Sequence, residues 1–202
     1  YTAHWVRDSS MDLGADLVPA NEVAGWIRLI ESTVPEAGPG VNVPAYSVPD
    51  HINLDGTVSF FPGWSSQGAA QKGIPPLDDA FFFIFDCDEY ARMTGSTAFL
   101  KLELPTASGK KWKIGDLCFK VLEAIPHDPA TGLAVIQDID QHQAHDFGFC
   151  DAEWKSGKVL FTSLLRYDAA HRLDRMLRTV DDVGGADWMH REAEKIKASI
   201  GA

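Results

Sequence analysis

Apolar side chains recur along much of this chain at helical spacing. Val23, Trp26, Ile27, Ile30 and Val34 fall on one stripe, which predicts a helix over 21–34. Asn21 is placed to cap it and Pro35 to end it. A second helix is predicted over 77–93, after Pro75-Pro76, with Asp78 or Asp79 in its first turn and Gly95 as its stop. The body of that helix, Ala80-Phe81-Phe82-Phe83-Ile84-Phe85, is apolar all round, so it should be buried on most sides. Further helices are predicted over 111–125, 156–180 and 186–200. Their core candidates are Trp112, Leu117, Val121 and Leu122, then the row Phe161, Leu165, Ala169, Leu173 and Met176, then Trp188, Ala193, Ile196 and Ile200.

Two stretches break this pattern. Residues 36–76 are rich in Gly, Pro, Asn and Ser, yet Tyr46, His51, Phe60, Phe61 and Trp64 argue for an ordered excursion. The alternation Thr57-Val58-Ser59-Phe60-Phe61 predicts a small β-hairpin within it. Residues 126–155 form a second polar excursion. The segment Leu102–Lys113 is expected to deform its local helical hairpin. The predicted fold class is mainly α, with antiparallel helical hairpins, short turns on one side and long loops on the other. Function is expected on the loop-bearing face.

Composition narrows the functional classes. A chain of 202 residues suits one domain. Eighteen Lys plus Arg against 29 Asp plus Glu give a net charge of −11, which argues against nucleic acid as a partner. No apolar run approaches the roughly 18 residues that a membrane span needs. The chain starts at Tyr1 without a leader-like segment, so it is expected to be a piece of something longer, with a cytoplasmic setting as the default. Cys87, Cys118 and Cys150 are scattered and odd in number, which fits a reduced compartment. Phosphate-binding and dinucleotide motifs are missing, so no cofactor is expected. His142-x-x-His145 with Asp138, Asp140 and Asp146 matches no standard ligand spacing, so no metal is expected either.

Three clusters could carry chemistry. Trp5-Val6-Arg7-Asp8 sets an aromatic, a guanidinium fork and a carboxylate side by side, which suits the apolar face and hydroxyl ring of a sugar. The plainer alternative is a capping Asp8 beside a surface Arg7. Asp146-Phe147-Gly148-Phe149-Cys150-Asp151-Ala152-Glu153-Trp154 interleaves three carboxylates with aromatics. Glycoside cleavage needs such a carboxylic acid, with its pKa raised by desolvation. Helix capping by Asp151 and Glu153 explains the segment equally well. In Asp78-Asp79, capping accounts for one carboxylate and leaves the other, Asp79, as a candidate hydroxyl ligand.

In their order and spacing these segments resemble the six-hairpin glycosidases, the glucoamylase-like superfamily. Trp5-Val6-Arg7-Asp8-Ser9 is similar to its W-x-R-D-S motif. Pro76-Leu77-Asp78-Asp79 through Tyr90, Thr94-Gly95 and Phe99-Leu100 has its cadence, as does Asp146–Asp151 leading into Gly157–Phe161. The resemblance implies an (α/α)6 toroid, of which this chain supplies part. It implies hydrolysis of a glucoside or related oligosaccharide, with Arg7 and Asp8 holding the terminal sugar. The general acid falls at Asp151 or Glu153. Consecutive Glu residues are replaced here by Asp151-Ala152-Glu153-Trp154, and likeness to sister families favours Asp151. Asp146, Trp154 and Asp79 would contact substrate, and His51, Asp55 and Trp64 would shape the pocket mouth. The general base belongs to a later part of the toroid. The alternative is a carbohydrate-binding or scaffold domain without catalysis.

Overall fold

A computed structural model describes residues 3–15, 17–36, 43–60, 77–136 and 157–201. Among these residues the chain is mainly helical, with a few short antiparallel strand pairs. The helices are α1 (Val6–Asp12), α2 (Ala20–Glu31), α3 (Asp79–Thr94), α4 (Ile114–Ala124), α5 (Leu160–Thr179) and α6 (Val183–Ile200). Strands β1 (Ala3–Trp5), β2 (His51–Asn53) and β3 (Val58–Ser59) form one antiparallel sheet, with Trp5 opposite His51 and His51 opposite Ser59. Strand β4 (Glu103–Pro105) pairs with β5 (Lys111–Lys113), and β6 (Val135–Ile136) pairs with β7 (Gly157–Lys158).

Helix α3 sits at the centre, packed on α1, α2, α4 and α5. Ala80 to Ile84 are all buried, as an all-apolar run requires. Val23, Ile27, Ile30 and Val34 cover it from α2, Leu117, Val121 and Leu122 lie in the same core from α4, and Ala169, Leu173 and Met176 from α5. Each large side chain buried this way contributes about 1.5–3 kcal/mol. Phe161 departs from its expected core row and is 38% exposed. Trp26 is only half-buried, at the edge of the α2 stripe.

Several predicted ends move, each for a local reason. Helix α2 starts at Ala20 behind an extended Pro19, so Asn21 lies inside the first turn and does not cap. It stops at Glu31, and Thr33 donates its hydroxyl to the Ile30 carbonyl in the turn that follows. Helix α3 ends at Gly95, whose φ of 67° is the left-handed conformation that glycine adopts freely. The helix expected from 111 begins at Ile114, because Lys111–Lys113 is taken up as a strand with Trp112 opposite Leu104. The helix expected from 156 likewise waits for β7 and begins at Leu160. Helix α6 begins earlier than expected, at Val183. Asp182 accepts the Gly185 N–H at 3.0 Å and caps it. A β-carbon on residue 185 would lie 2.5 Å from the Asp182 carboxylate, so glycine there lets the cap close.

One buried cation ties three helices together. Arg166 of α5 has no exposed side-chain surface. It donates to the Leu122 carbonyl at the end of α4 and to Glu123 at 3.0 Å, and lies 3.7 Å from Glu192 of α6. Burial pulls its pKa down, and the two carboxylates oppose that. Removing the cation alone leaves a buried acceptor and a nearly buried Glu192 without it. Arg166→Met is therefore expected to destabilise the chain by about 3 kcal/mol or more, measured by urea unfolding. Lys197→Ala, at the exposed Glu194–Lys197 contact, should change the midpoint by less than about 0.5 kcal/mol.

Candidate functional site

Strands β1 and β2 and helix α1 bring the first sequence cluster next to the start of α3. The Val6 N–H donates to the Asp50 carbonyl at 3.0 Å and fixes the entry of α1 on β2. The Trp5 and His51 rings lie 4.2 Å apart and tilted by 33°. The His51 Nδ1 is 2.9 Å from the Asp50 carboxylate. Arg7 turns inward and donates to Asp78 at 3.0 Å. Asp78 and Asp79 are both buried. Neither carboxylate oxygen of Asp79 has a partner with hydrogen-bond geometry among the described residues. Burial, and then the negative charges of Asp78 and Asp50, push its pKa well above the usual carboxylate range. The Arg7 charge and the nearby Arg7 N–H act in the opposite sense but do not prevail.

The other face of α1 is different. Consecutive residues on a helix point about 100° apart, so Asp8 leaves the Arg7 side and faces outward. Asp8 and Asp12, one turn apart, meet Glu22 and Trp26, also one turn apart on α2. Together with His4, Trp5, Ser9, Met11 and Leu54 they line a groove of about 570 Å³. His4 lies 5.2 Å from the Trp26 ring, and its Nδ1 is 3.1 Å from the Ser9 hydroxyl. Burial lowers the His4 pKa, which favours the neutral ring. The groove thus combines two indole surfaces with carboxylate acceptors, the pairing that a ring with an apolar face and hydroxyl donors requires.

Among the described residues, the predicted site residues fall in two places and a turn. Trp5 and Asp8 line the groove. Arg7, His51 and Asp79 lie in or beside the polar knot at the start of α3. Arg7 and Asp8, expected to grip one sugar, are instead on different sides of α1. Asp55 sits in the exposed β2–β3 turn, accepting the Thr57 N–H at 2.9 Å and the Thr57 hydroxyl at 2.7 Å, which is a turn-forming role. Those bonds hold its pKa below the usual value. Trp64, Asp146, Asp151, Glu153 and Trp154 fall outside the described residues. The groove adds residues that the sequence pattern did not single out: His4, Asp12, Glu22 and Trp26. The available signal was the i,i+4 spacing of Asp8 with Asp12 and of Glu22 with Trp26. Trp26 was absorbed into the core stripe.

A larger groove of about 700 Å³ lies at the other end of α3, lined by Asp88, Arg92, Thr97, Lys101, Arg175 and Thr179 among others. Among the described residues it has no aromatic wall. Arg175 is paired with Asp88, and Arg92 with Glu89. The C-terminal ends of α3 and α5 also open here, where cations offset helix dipoles. Size alone therefore does not make it the better candidate. No family model and no curated protein sequence matches this chain.

Behind the polar knot, the core holds two more acids. Burial pushes Glu31 up to about 7, and Asp86 up to about 8 despite the nearby Ser10 hydroxyl. Their carboxylate oxygens have no hydrogen-bond partner among the described residues. An acid whose folded pKa is raised stabilises the fold fully below its unfolded value, and that stability is lost as pH rises through the folded pKa. The window therefore runs from about pH 4, the unfolded value, to about pH 8. His4, with its lowered pKa, works in the opposite direction below its ordinary value of 6.5. Between about pH 6.5 and pH 8, urea unfolding should show stability falling with pH. Asp86→Asn should flatten that slope. An unchanged slope in the variant would contradict the assignment.

Proposed function

We propose that this chain is part of a glycoside hydrolase-type, carbohydrate-active domain that holds a sugar in the groove between Trp5 and Trp26. The observation that carries this reading is the groove itself: two half-buried indoles beside three carboxylates that have no ion-pair partner among the described residues. Indoles cover the apolar face of a pyranose, and the carboxylates accept its hydroxyl donors. The resemblance of the motif order to six-hairpin glycosidases supports an (α/α)6 toroid, of which these helices form part. Two buried free thiols, Cys87 and Cys118, favour a reducing, cytoplasmic setting.

In this reading the substrate is an oligosaccharide or glycoside, and Asp151 donates the proton to the leaving oxygen, with Glu153 as the alternative acid. Arg7 does not hold the sugar directly. Its pairing with Asp78 fixes α1 on α3 and thereby sets the positions of Trp5 and Asp8. A second reading, sugar binding without cleavage, is favoured by one feature. Asp79, whose pKa is strongly raised, does not line the groove but is buried and faces Asp78, Asp50 and Arg7.

Calorimetric titration with short oligosaccharides separates these readings when combined with a turnover assay. Trp26→Ala should weaken binding about tenfold, the loss of one stacking surface, while Asp55→Asn should leave it unchanged. Turnover abolished by Asp151→Asn supports the hydrolase. Turnover that survives Asp151→Asn and is lost in Glu153→Gln moves the acid to Glu153. Binding without turnover selects the second reading, and absence of binding overturns both.

A further inference from the structure

We infer that the groove between α1 and α2 selects sugars that carry a protonated amine over neutral sugars, and excludes anionic ones. This rests on the carbohydrate-binding reading and names the substrate class of that same groove. Three carboxylates, Asp8, Asp12 and Glu22, share a cavity of about 570 Å³. Among the described residues no Lys or Arg lines it. The nearest candidate cation, Arg7, is turned through the helix to Asp78. Among the described lining residues His4 is the one able to carry a positive charge; burial pushes it toward its neutral form, and its Nε2 is enclosed without a hydrogen-bond partner among the described residues.

The walls matter as much as the charges. Trp5 and Trp26 line the same space, with His51 against the Trp5 ring and His4 beside the Trp26 ring, and an ammonium is attracted to an indole face. A neutral sugar uses the indoles and offers hydroxyl donors, but leaves the carboxylate charge uncompensated. An ammonium on the ring satisfies a carboxylate and an indole together. A uronate, sulfate or phosphate ester adds a like charge to three already present. With the carboxylates exposed, the discrimination is modest: about tenfold between an amino sugar and its neutral counterpart at low salt.

The experiment is calorimetric titration of the chain with glucosamine oligomers, their N-acetylated and glucose counterparts, and glucuronate oligomers. The expected order is glucosamine tightest, the two neutral series about tenfold weaker, and glucuronate weakest. The tenfold preference should shrink at about 0.5 M salt, where exposed charges are screened. Glu22→Gln and Asp12→Asn, both at exposed positions, should each reduce the preference, weakening glucosamine binding by a larger factor than neutral-sugar binding. Equal binding of charged and neutral sugars overturns the inference and leaves the carbohydrate reading standing. Binding of a lysine-containing peptide as tight as that of glucosamine oligomers overturns the sugar class. Absence of binding by every sugar overturns both this inference and the reading on which it rests.

Discussion

Helix α3 carries Phe81, Phe82, Phe83 and Ile84 in succession, so no rotation about its axis gives this segment a wet face. Water must be removed from every side, and four other helices do so. That requirement sets the positions of the rest. The stripe on α2 and the rows on α4 and α5 have one place to bury their apolar sides, against this helix. Helix α1, too short to be stable in isolation, is held by the same contact and by the β1–β2 pairing.

The start of α3 is where burial meets charge. Asp78 and Asp79 follow directly from the requirement that the helix be enclosed, because its first turn goes into the interior with its body. Arg7 answers the Asp78 charge, and burial beside Asp78 and Asp50 raises the pKa of the other, Asp79. The same Arg7 contact orients α1, so that its inner side belongs to the polar knot and its outer side, with Asp8 and Asp12, belongs to the groove. The knot and the groove are thus two faces of one short helix. A perturbation of the first should be felt as a shift in the second.

The interior tolerates other unmet polar groups. Burial, then the neighbouring Cys118, and then the charges of Asp86 and Glu31 push the Cys87 thiol pKa upward. Cys87 and Cys118, distant in sequence, approach to 3.8 Å between sulfurs. Buried acids without partners are costly when charged, which is why protonation rather than pairing accounts for them. Arg166 shows the other solution, a buried cation surrounded by a carbonyl and two carboxylates.

How much of this was legible in the sequence depends on the range of the interaction concerned. Periodicity located the five longer helices, because a helix buries a stripe whose spacing is fixed by 3.6 residues per turn. It misjudged their first residues where a partner strand claimed them: at Gly157–Lys158, whose partner lies well upstream and leaves no local trace, and at Lys111–Lys113, which closes a short hairpin within the 102–113 segment that already breaks the helical pattern. The seven-residue α1 was too short for a periodic signal. In Trp5-Val6-Arg7-Asp8 the residue types announced polar recognition, and their adjacency suggested a single ligand. Only the tertiary structure decided that Arg7 faces Asp78 while Asp8 faces Trp26 and Glu22, because which side of a helix is inside is set by what packs against it. The sequence by itself determined that a helical chain would form around an apolar segment near residue 82. Tertiary packing alone determined which carboxylates were buried, which were left to water, and where a groove opened between them.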